Sequence, residues 1–295
     1  MKILITGAAG QLGQELQRQL QEGGSSLGPL PERLQLATVI PVDLPDADLS
    51  NRHDTAALIR RYAPYAVVNC AAYTNVDNCE KQPDTAFAAN AIAPRNVAMA
   101  CEEVGAKLLH ISTDYVLSGE ASAPVPETAL PAPRSVYGYT KLLGEEYVKN
   151  VCSQWFILRT AWLYGQNGNN FVKTILRLAR ENGSAKVVND QFGNPTNAED
   201  LAHHILKLIP TKEYGLYHCT NNEVCSWFDF ASEIVRLWDI DAAVSPCTTE
   251  EFPRPAKRPA YSALDNAMLR ATIGDEMRPW QQAIAAYHQQ MKNAL

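Results

Sequence analysis

The sequence predicts an α/β fold, a doubly wound parallel sheet followed by a smaller α+β part, on three observations. Short apolar runs alternate with helical patterns up to about residue 164. Those runs lack the polar alternation of a half-solvated strand, so they belong to strands covered on both faces. The first of them leads straight into a glycine-rich turn that opens a helix.

Lys2–Thr6 is the first strand, and the helix after the turn carries Leu12, Leu16 and Leu20 on one face. Residues 22–33, rich in Gly, Ser and Pro, read as a loop. The run 34–42 is the second strand and ends at Asp43. A helix over 53–62 leads to a strand over 66–72. The next helix covers 83–103, where Pro94 is expected to kink it because it has no N–H to donate. Strands over 107–112 and Trp155–Thr160 flank a helix over 137–150. Beyond residue 164 the rhythm weakens to a helix at 171–181, a short strand at 186–189 and a helix at 197–208, with proline-rich chain around 246–259. The expected division is 1–164 for a dinucleotide and 165–295 mainly for a substrate, with part of 197–220 returning to the first unit.

Composition bounds the function. The 295 residues are 46% hydrophobic and 20% charged, with a formal charge of -6. No overall basic field invites nucleic acid or an anionic membrane, and no apolar run is long enough to span a bilayer. Neither is expected as a partner. Met1 and Lys2 enter the first strand directly, so a soluble, cytoplasmic protein is expected. Seven cysteines show no C-x-x-C spacing and the six histidines do not cluster with them, so reduced thiols and no metal site are expected.

Gly7-Ala-Ala-Gly10-Gln-Leu-Gly13 stands between a strand and a helix. There the first glycines permit a tight turn and close approach to a pyrophosphate, and the last permits close helix–strand packing. This predicts a Rossmann-type dinucleotide site. Asp43, at the end of the second strand, can accept from the adenosine ribose hydroxyls, which favours NADH, or it can simply hold a turn. Asp48 and Leu49 follow, where they could flank the adenine.

Tyr137 and Lys141 lie one helical turn apart on the same face. A phenol ionises near pH 10 and needs an adjacent cation to act as an acid near neutrality. Upstream, Ser112-Thr113-Asp114 ends a strand, which delivers hydroxyls to the sheet edge where ligands bind in open α/β folds.

These motifs, with Asn69-Cys-Ala-Ala-Tyr-Thr74, Ser112-Thr-Asp-Tyr-Val116, Arg159-Thr-Ala-Trp162-Leu-Tyr-Gly165, Gly168-Asn-Asn-Phe171, Val188-Asn-Asp-Gln-Phe-Gly-Asn-Pro-Thr196 and Arg258-Pro259, resemble the extended branch of the short-chain dehydrogenase/reductases. Within it the chain is most similar to the dTDP-4-dehydrorhamnose reductase family, along nearly its whole length. The resemblance implies reduction of the C4 ketone of a dTDP-4-dehydro-6-deoxy sugar by hydride from NADPH or NADH. It implies Tyr137 as proton donor, Lys141 tuning Tyr137 and holding the ribose, and Thr113 bonded near the reacting carbon and trimming the acidity of Tyr137. Gly7, Gly10, Gln11, Leu12, Gly13, Asp43, Asp48, Leu49, Ala72, Tyr73 and Thr74 match dinucleotide positions, and Thr113, Asp114 and Trp162 match sugar-nucleotide positions. Arg258 suits the diphosphate, since its planar fork matches phosphate oxygens. Asn69 is expected to tie off backbone at a strand end.

Related sugar-nucleotide dehydratases carry Asp-Glu where this chain has Asp114-Tyr115, which argues against elimination. Two other readings remain: another nucleotide-sugar epimerase or dehydratase, or a non-catalytic subunit similar to the regulatory chain of methionine adenosyltransferase. Some family members form metal-bridged dimers through glutamates. Glu15 and Glu199 fall at plausible positions, but the tail 287–295 holds no acidic residue. Both are expected to be surface helix residues, and the protein a monomer or homodimer.

Overall fold

The computed structural model describes residues 1–293; Ala294 and Leu295, the end of the tail considered above, lie outside the described residues. Six parallel strands form one sheet: β1 (Lys2–Thr6), β2 (Thr38–Val42), β3 (Ala66–Asn69), β4 (Lys107–Thr113), β5 (Trp155–Thr160) and β6 (Gly215–His218). Their spatial order is β6-β5-β4-β3-β1-β2. The order reverses between β1 and β3, and a crevice at that switch point, outside the carboxyl ends of the strands, is where such sheets bind ligands.

Alternate side chains of β1 serve opposite faces. Ile3 and Ile5 join Leu16, Leu20, Leu201 and Ile205 under helices α1 (Gln11–Glu22) and α6 (Ala198–Leu208). Leu4 joins Ile59, Val97, Leu108 and Val148 under α2 (Arg52–Tyr62), α3 (Ala93–Val104) and α4 (Val136–Val151). Burying each such side chain contributes about 1.5–3 kcal/mol. A separate cluster with Tyr164, Ile175, Phe230, Ile234 and Ile284 packs α5 (Phe171–Asn182), α7 (Trp227–Leu237) and α8 (Trp280–Asn293). Beside it Ser184–Val188 pairs in parallel with Ala243–Cys247.

Several boundaries differ from the sequence expectation. The run 34–42 is not one strand: Leu34 sits in a short helix, Glu32–Gln35, and pairing with β1 begins at Thr38. The loop 22–33 contains a small hairpin between Gly24–Ser25 and Gly28–Pro29. The helix expected over 83–103 is three pieces, Pro83–Phe87, a π-helical turn Ala88–Ile92, and α3. Pro94 has no N–H for the Asn90 carbonyl four residues back, so the helix widens there instead of continuing. Among the described residues, no helix is long and apolar enough to cross a membrane.

Candidate active site

The glycine turn is built as a cradle. Gly7 has φ of 63°, and a Cβ on it would lie 2.8 Å from the Ala71 backbone nitrogen. A Cβ on Gly13 would lie 2.3 Å from the Gly7 carbonyl oxygen. Only glycine allows the turn, the loop after β3 and the start of α1 to approach so closely. Helix α1 has no side-chain cap at Gly10, so its first N–H groups face the switch point unclaimed by a side chain. These features fit a dinucleotide pyrophosphate.

The residues expected around that cradle divide. Asp43 reaches the turn: its Oδ2 accepts the Ala9 N–H at 2.8 Å and its Oδ1 the Leu44 N–H at 2.9 Å. Gln11 Oε1 accepts from Asn170 Nδ2 at 2.9 Å, linking the turn to the chain before α5. Tyr73 is clamped at both backbone groups by Asn90, at 2.8 and 3.1 Å, which holds Ala72-Tyr73-Thr74 beside the switch point. The side chains of Leu12 and Leu49 are buried in the two core clusters, and Asp48 accepts from the N–H and hydroxyl of Ser50.

Helix α4 delivers Tyr137 and Lys141 to the carboxyl end of β4. Its first turn is fixed by Ser135 Oγ, which accepts the Gly138 N–H at 3.1 Å, and by Glu80, which accepts the Val136 N–H at 2.9 Å. A Cβ on Gly138 would lie 2.2 Å from the Tyr115 carbonyl oxygen, so α4 presses on the Asp114–Val116 turn. One turn beyond Lys141, Glu145 makes a two-pronged ion pair with Arg159 of β5, at 2.8 and 2.7 Å, and accepts from Ser112 of β4 at 2.6 Å. Both charged side chains are fully buried.

Lys141 is 2% exposed, and its Nζ donates to the Ile111 carbonyl at 2.6 Å. Nζ also lies 3.4 Å from His110 Nε2. Burial disfavours the ammonium and lowers its pKa to about 8, so it remains mostly protonated at pH 7. Tyr137 is 9% exposed, and burial pushes its phenol above the ordinary value. The nearby Thr113 hydroxyl works the other way, while the charge of Asp114 adds to the rise. Among the groups around the phenol, Thr113 is the one that lowers it. The lysine is held by Ile111 and His110 behind the site.

Thr113 Oγ1 donates to Asp114 Oδ1 at 2.9 Å. Asp114 is 3% exposed, and burial raises it to about 6 against the pull of Ser262 and Thr113. Tyr115 packs edge-on to Tyr137 with ring centroids 5.5 Å apart, and its hydroxyl accepts from Arg258 at 2.9 Å. Burial pushes the Tyr115 phenol up to about 12, so it stays neutral at pH 7. Arg258 also pairs with Asp77 at 3.0 Å, so the proline-rich segment is moored over the site. Trp162 has φ of 48° and stacks on Trp227 at 3.5 Å.

Two expectations are corrected. Asn69 does not tie off backbone: its side chain accepts from the Thr6 hydroxyl at 2.6 Å and lies 3.0 Å from His110 Nδ1. Glu15 and Glu199 are not surface residues but buried ones. Arg18 pairs with both, at 2.6 and 3.3 Å, and Arg278 pairs with Glu199 at 3.3 Å. Among the described residues no group of three or more His, Cys, Asp or Glu is arranged to hold a metal ion. His110, Asn90, Glu145, Asp77 and Ser262 were missed, because none carries a motif and each acquires its place only through the strand order or a remote segment.

A sequence model described as the RmlD substrate binding domain matches residues 1–293. The chain belongs to the RmlD substrate binding domain family. A relative named dTDP-4-dehydrorhamnose reductase from Streptomyces griseus is 39% identical over 288 residues, covering 95% of this chain and 91% of the relative. The crystal structure of a dTDP-4-dehydrorhamnose reductase from Clostridium acetobutylicum superposes with a TM-score of 0.93 at 49% identity, covering 99% of this chain and 100% of the other. That of the enzyme so named from Bacillus anthracis, in complex with NADP, gives 0.92 at 41% identity, with 98% and 99% covered. The RmlD-family likeness thus runs through both the sheet domain and the later helices.

Proposed function

We propose that the chain reduces the C4 ketone of dTDP-4-dehydrorhamnose to dTDP-L-rhamnose, in the cytoplasm, with NADPH or NADH as reductant. The observation that carries this reading is the buried Tyr137–Thr113 pair beside a glycine cradle, in a chain that matches reductases of this name over nearly its full length. Residues 1–164 bind the dinucleotide. Residues 165–295 bind mainly the sugar nucleotide, with part of 197–220 returning to the sheet.

The reduced nicotinamide supplies a hydride. Every other task falls to side chains. Gly7, Gly10 and Gly13 admit the pyrophosphate to the start of α1. Asp43 stands where the adenosine ribose ends, with Gln11 and residues 72–74 lining the rest. Tyr137 gives its phenolic proton to the oxygen that becomes the new hydroxyl, and Thr113 holds that oxygen and eases the phenol's ionisation. The Lys141 ammonium holds the nicotinamide ribose. Arg258 turns its fork to the diphosphate, and Asp114 and Trp162 border the sugar.

The test is stoichiometric. With dTDP-4-dehydrorhamnose, one reduced nicotinamide is oxidised per dTDP-L-rhamnose formed, measured by absorbance and chromatography, and dTDP-glucose is left unchanged. A 4-keto product from dTDP-glucose without net cofactor change overturns the reading in favour of a dehydratase. Cofactor binding without reaction on either sugar favours a regulatory subunit.

A further inference from the structure

One carboxylate gathers the proline-rich segment that crosses the site. Asp77 Oδ1 lies 3.0 Å from Arg258 Nη2 and accepts the Ala256 N–H at 3.3 Å. Its Oδ2 stands 4.0 Å from Arg254 Nη1, an ion pair too long for a hydrogen bond. Asp77 belongs to the short helix Val76–Lys81, just after Ala72-Tyr73-Thr74. Donors from the run Arg254-Pro-Ala-Lys-Arg258 thus converge on a single anion. Pro253, Pro255 and Pro259 restrict the backbone around them, which holds the set in shape.

Two guanidinium groups and a backbone N–H facing one acceptor are the chemistry of a phosphate site. The place suits one. Arg258 Nη1 donates to the Tyr115 hydroxyl at 2.9 Å, and its guanidinium carbon is 5.9 Å from the Tyr115 ring centroid. That ring lies 5.5 Å from the ring of Tyr137. One aromatic ring separates Tyr137 from the arginine, much as one sugar ring separates C4 from a diphosphate on C1. The side chains are within reach of solvent, 20% exposed for Arg258, 23% for Asp77 and 50% for Arg254. A diphosphate ester carries a negative charge on each phosphate. Beside Asp77 it sets more negative charge than the two arginines balance, and like charges repel strongly at ion-pair range. The carboxylate and the diphosphate therefore compete for the same forks.

We propose that Asp77 holds the place of a substrate phosphate in the free enzyme, and that the diphosphate of the sugar nucleotide displaces it to take Arg254, Arg258 and the Ala256 N–H. This rests on the reductase reading above, which supplies the dTDP-sugar, and it adds Arg254 to the binding residues. Asp77 keeps the segment ordered between turnovers and turns out to solvent as substrate docks. Only hydrogen bonds and ion pairs are exchanged.

Isothermal titration calorimetry of NADPH-loaded enzyme with dTDP, which carries the diphosphate but has no ketone to reduce, tests it. Asp77→Asn keeps the shape of the side chain and removes the competing charge, so dTDP binds more tightly by at least about threefold. Arg254→Ala binds dTDP more weakly by at least about threefold. Thymidine, which lacks both phosphates, shows neither change. In an Arg258→Ala background the gain from Asp77→Asn falls below about twofold, as expected if the two side chains act on each other. NADPH titration reports that each variant is folded. Weaker or unchanged dTDP binding in Asp77→Asn overturns the displacement, makes the carboxylate a plain anchor of the segment, and leaves the reductase reading intact. Unchanged dTDP binding in Arg254→Ala overturns the part given to Arg254. No dTDP binding by the wild type overturns the dTDP-sugar reading and this one with it.

Discussion

Tyr137→Phe is expected to lower kcat by roughly 10²–10⁴-fold, the usual loss when a positioned general acid is removed. The substitution keeps the ring, so its edge-on contact with Tyr115 at 5.5 Å and its packing at the start of α4 survive. What is lost is the phenolic hydroxyl beside Thr113, and with it the only proton proposed to reach the new alkoxide. Lys141 cannot take over, because its Nζ is tied to the Ile111 carbonyl at 2.6 Å on the far side of the pair. NADPH binding, followed by fluorescence titration, should change little. Turnover within a few-fold of the wild type would contradict the assignment of Tyr137.

Glu145→Gln is expected to destabilise the fold by about 3–5 kcal/mol, the range for breaking a buried ion pair from one side. Arg159 and Glu145 are both fully buried, and Arg159 Nη1 already has no hydrogen-bond partner. Removing the carboxylate charge leaves the guanidinium uncompensated inside the protein. The pair joins α4 to β5, and Ser112 adds β4, so the loss also loosens the helix carrying Tyr137 and Lys141. The pH dependence has a definite sign. Arg159 and Ser112 hold Glu145 below the ordinary glutamate range despite its burial. Its contribution is therefore present at neutral pH and is lost as pH falls through its lowered folded-state value. Chemical denaturation of wild type and variant at pH 7 measures the difference, and a gap under about 1 kcal/mol contradicts it, since that is the range of exposed pairs.

Much of the sheet could be read from sequence because each strand is a local apolar run. Lys2–Thr6 and Trp155–Thr160 were placed to the residue. The glycine turn and the Tyr137–Lys141 pair were equally local, with all their spacing inside one segment. What escaped depends on distant chain. Strand β6 is only Gly215–His218, too short to stand out, and is a strand because β5 offers it an edge. The π-helical turn before α3 follows from Pro94, but sequence alone suggested a kink where the backbone widened. Glu15 and Glu199 looked like surface residues because the arginine that buries Glu199 lies at position 278. The placement of Lys141 against His110, and not beside the phenol alone, needed the register of β4 with β3.

A hydride is expected to reach carbon 4 of the sugar and to stay there. Nicotinamide cofactor deuterated at its transferable position, incubated with the enzyme and dTDP-4-dehydrorhamnose, tests it directly. The expected result is dTDP-L-rhamnose with one deuterium at C4 by mass spectrometry and NMR, and an equal amount of oxidised cofactor. An unlabelled product, or cofactor that ends the reaction still reduced, would contradict it.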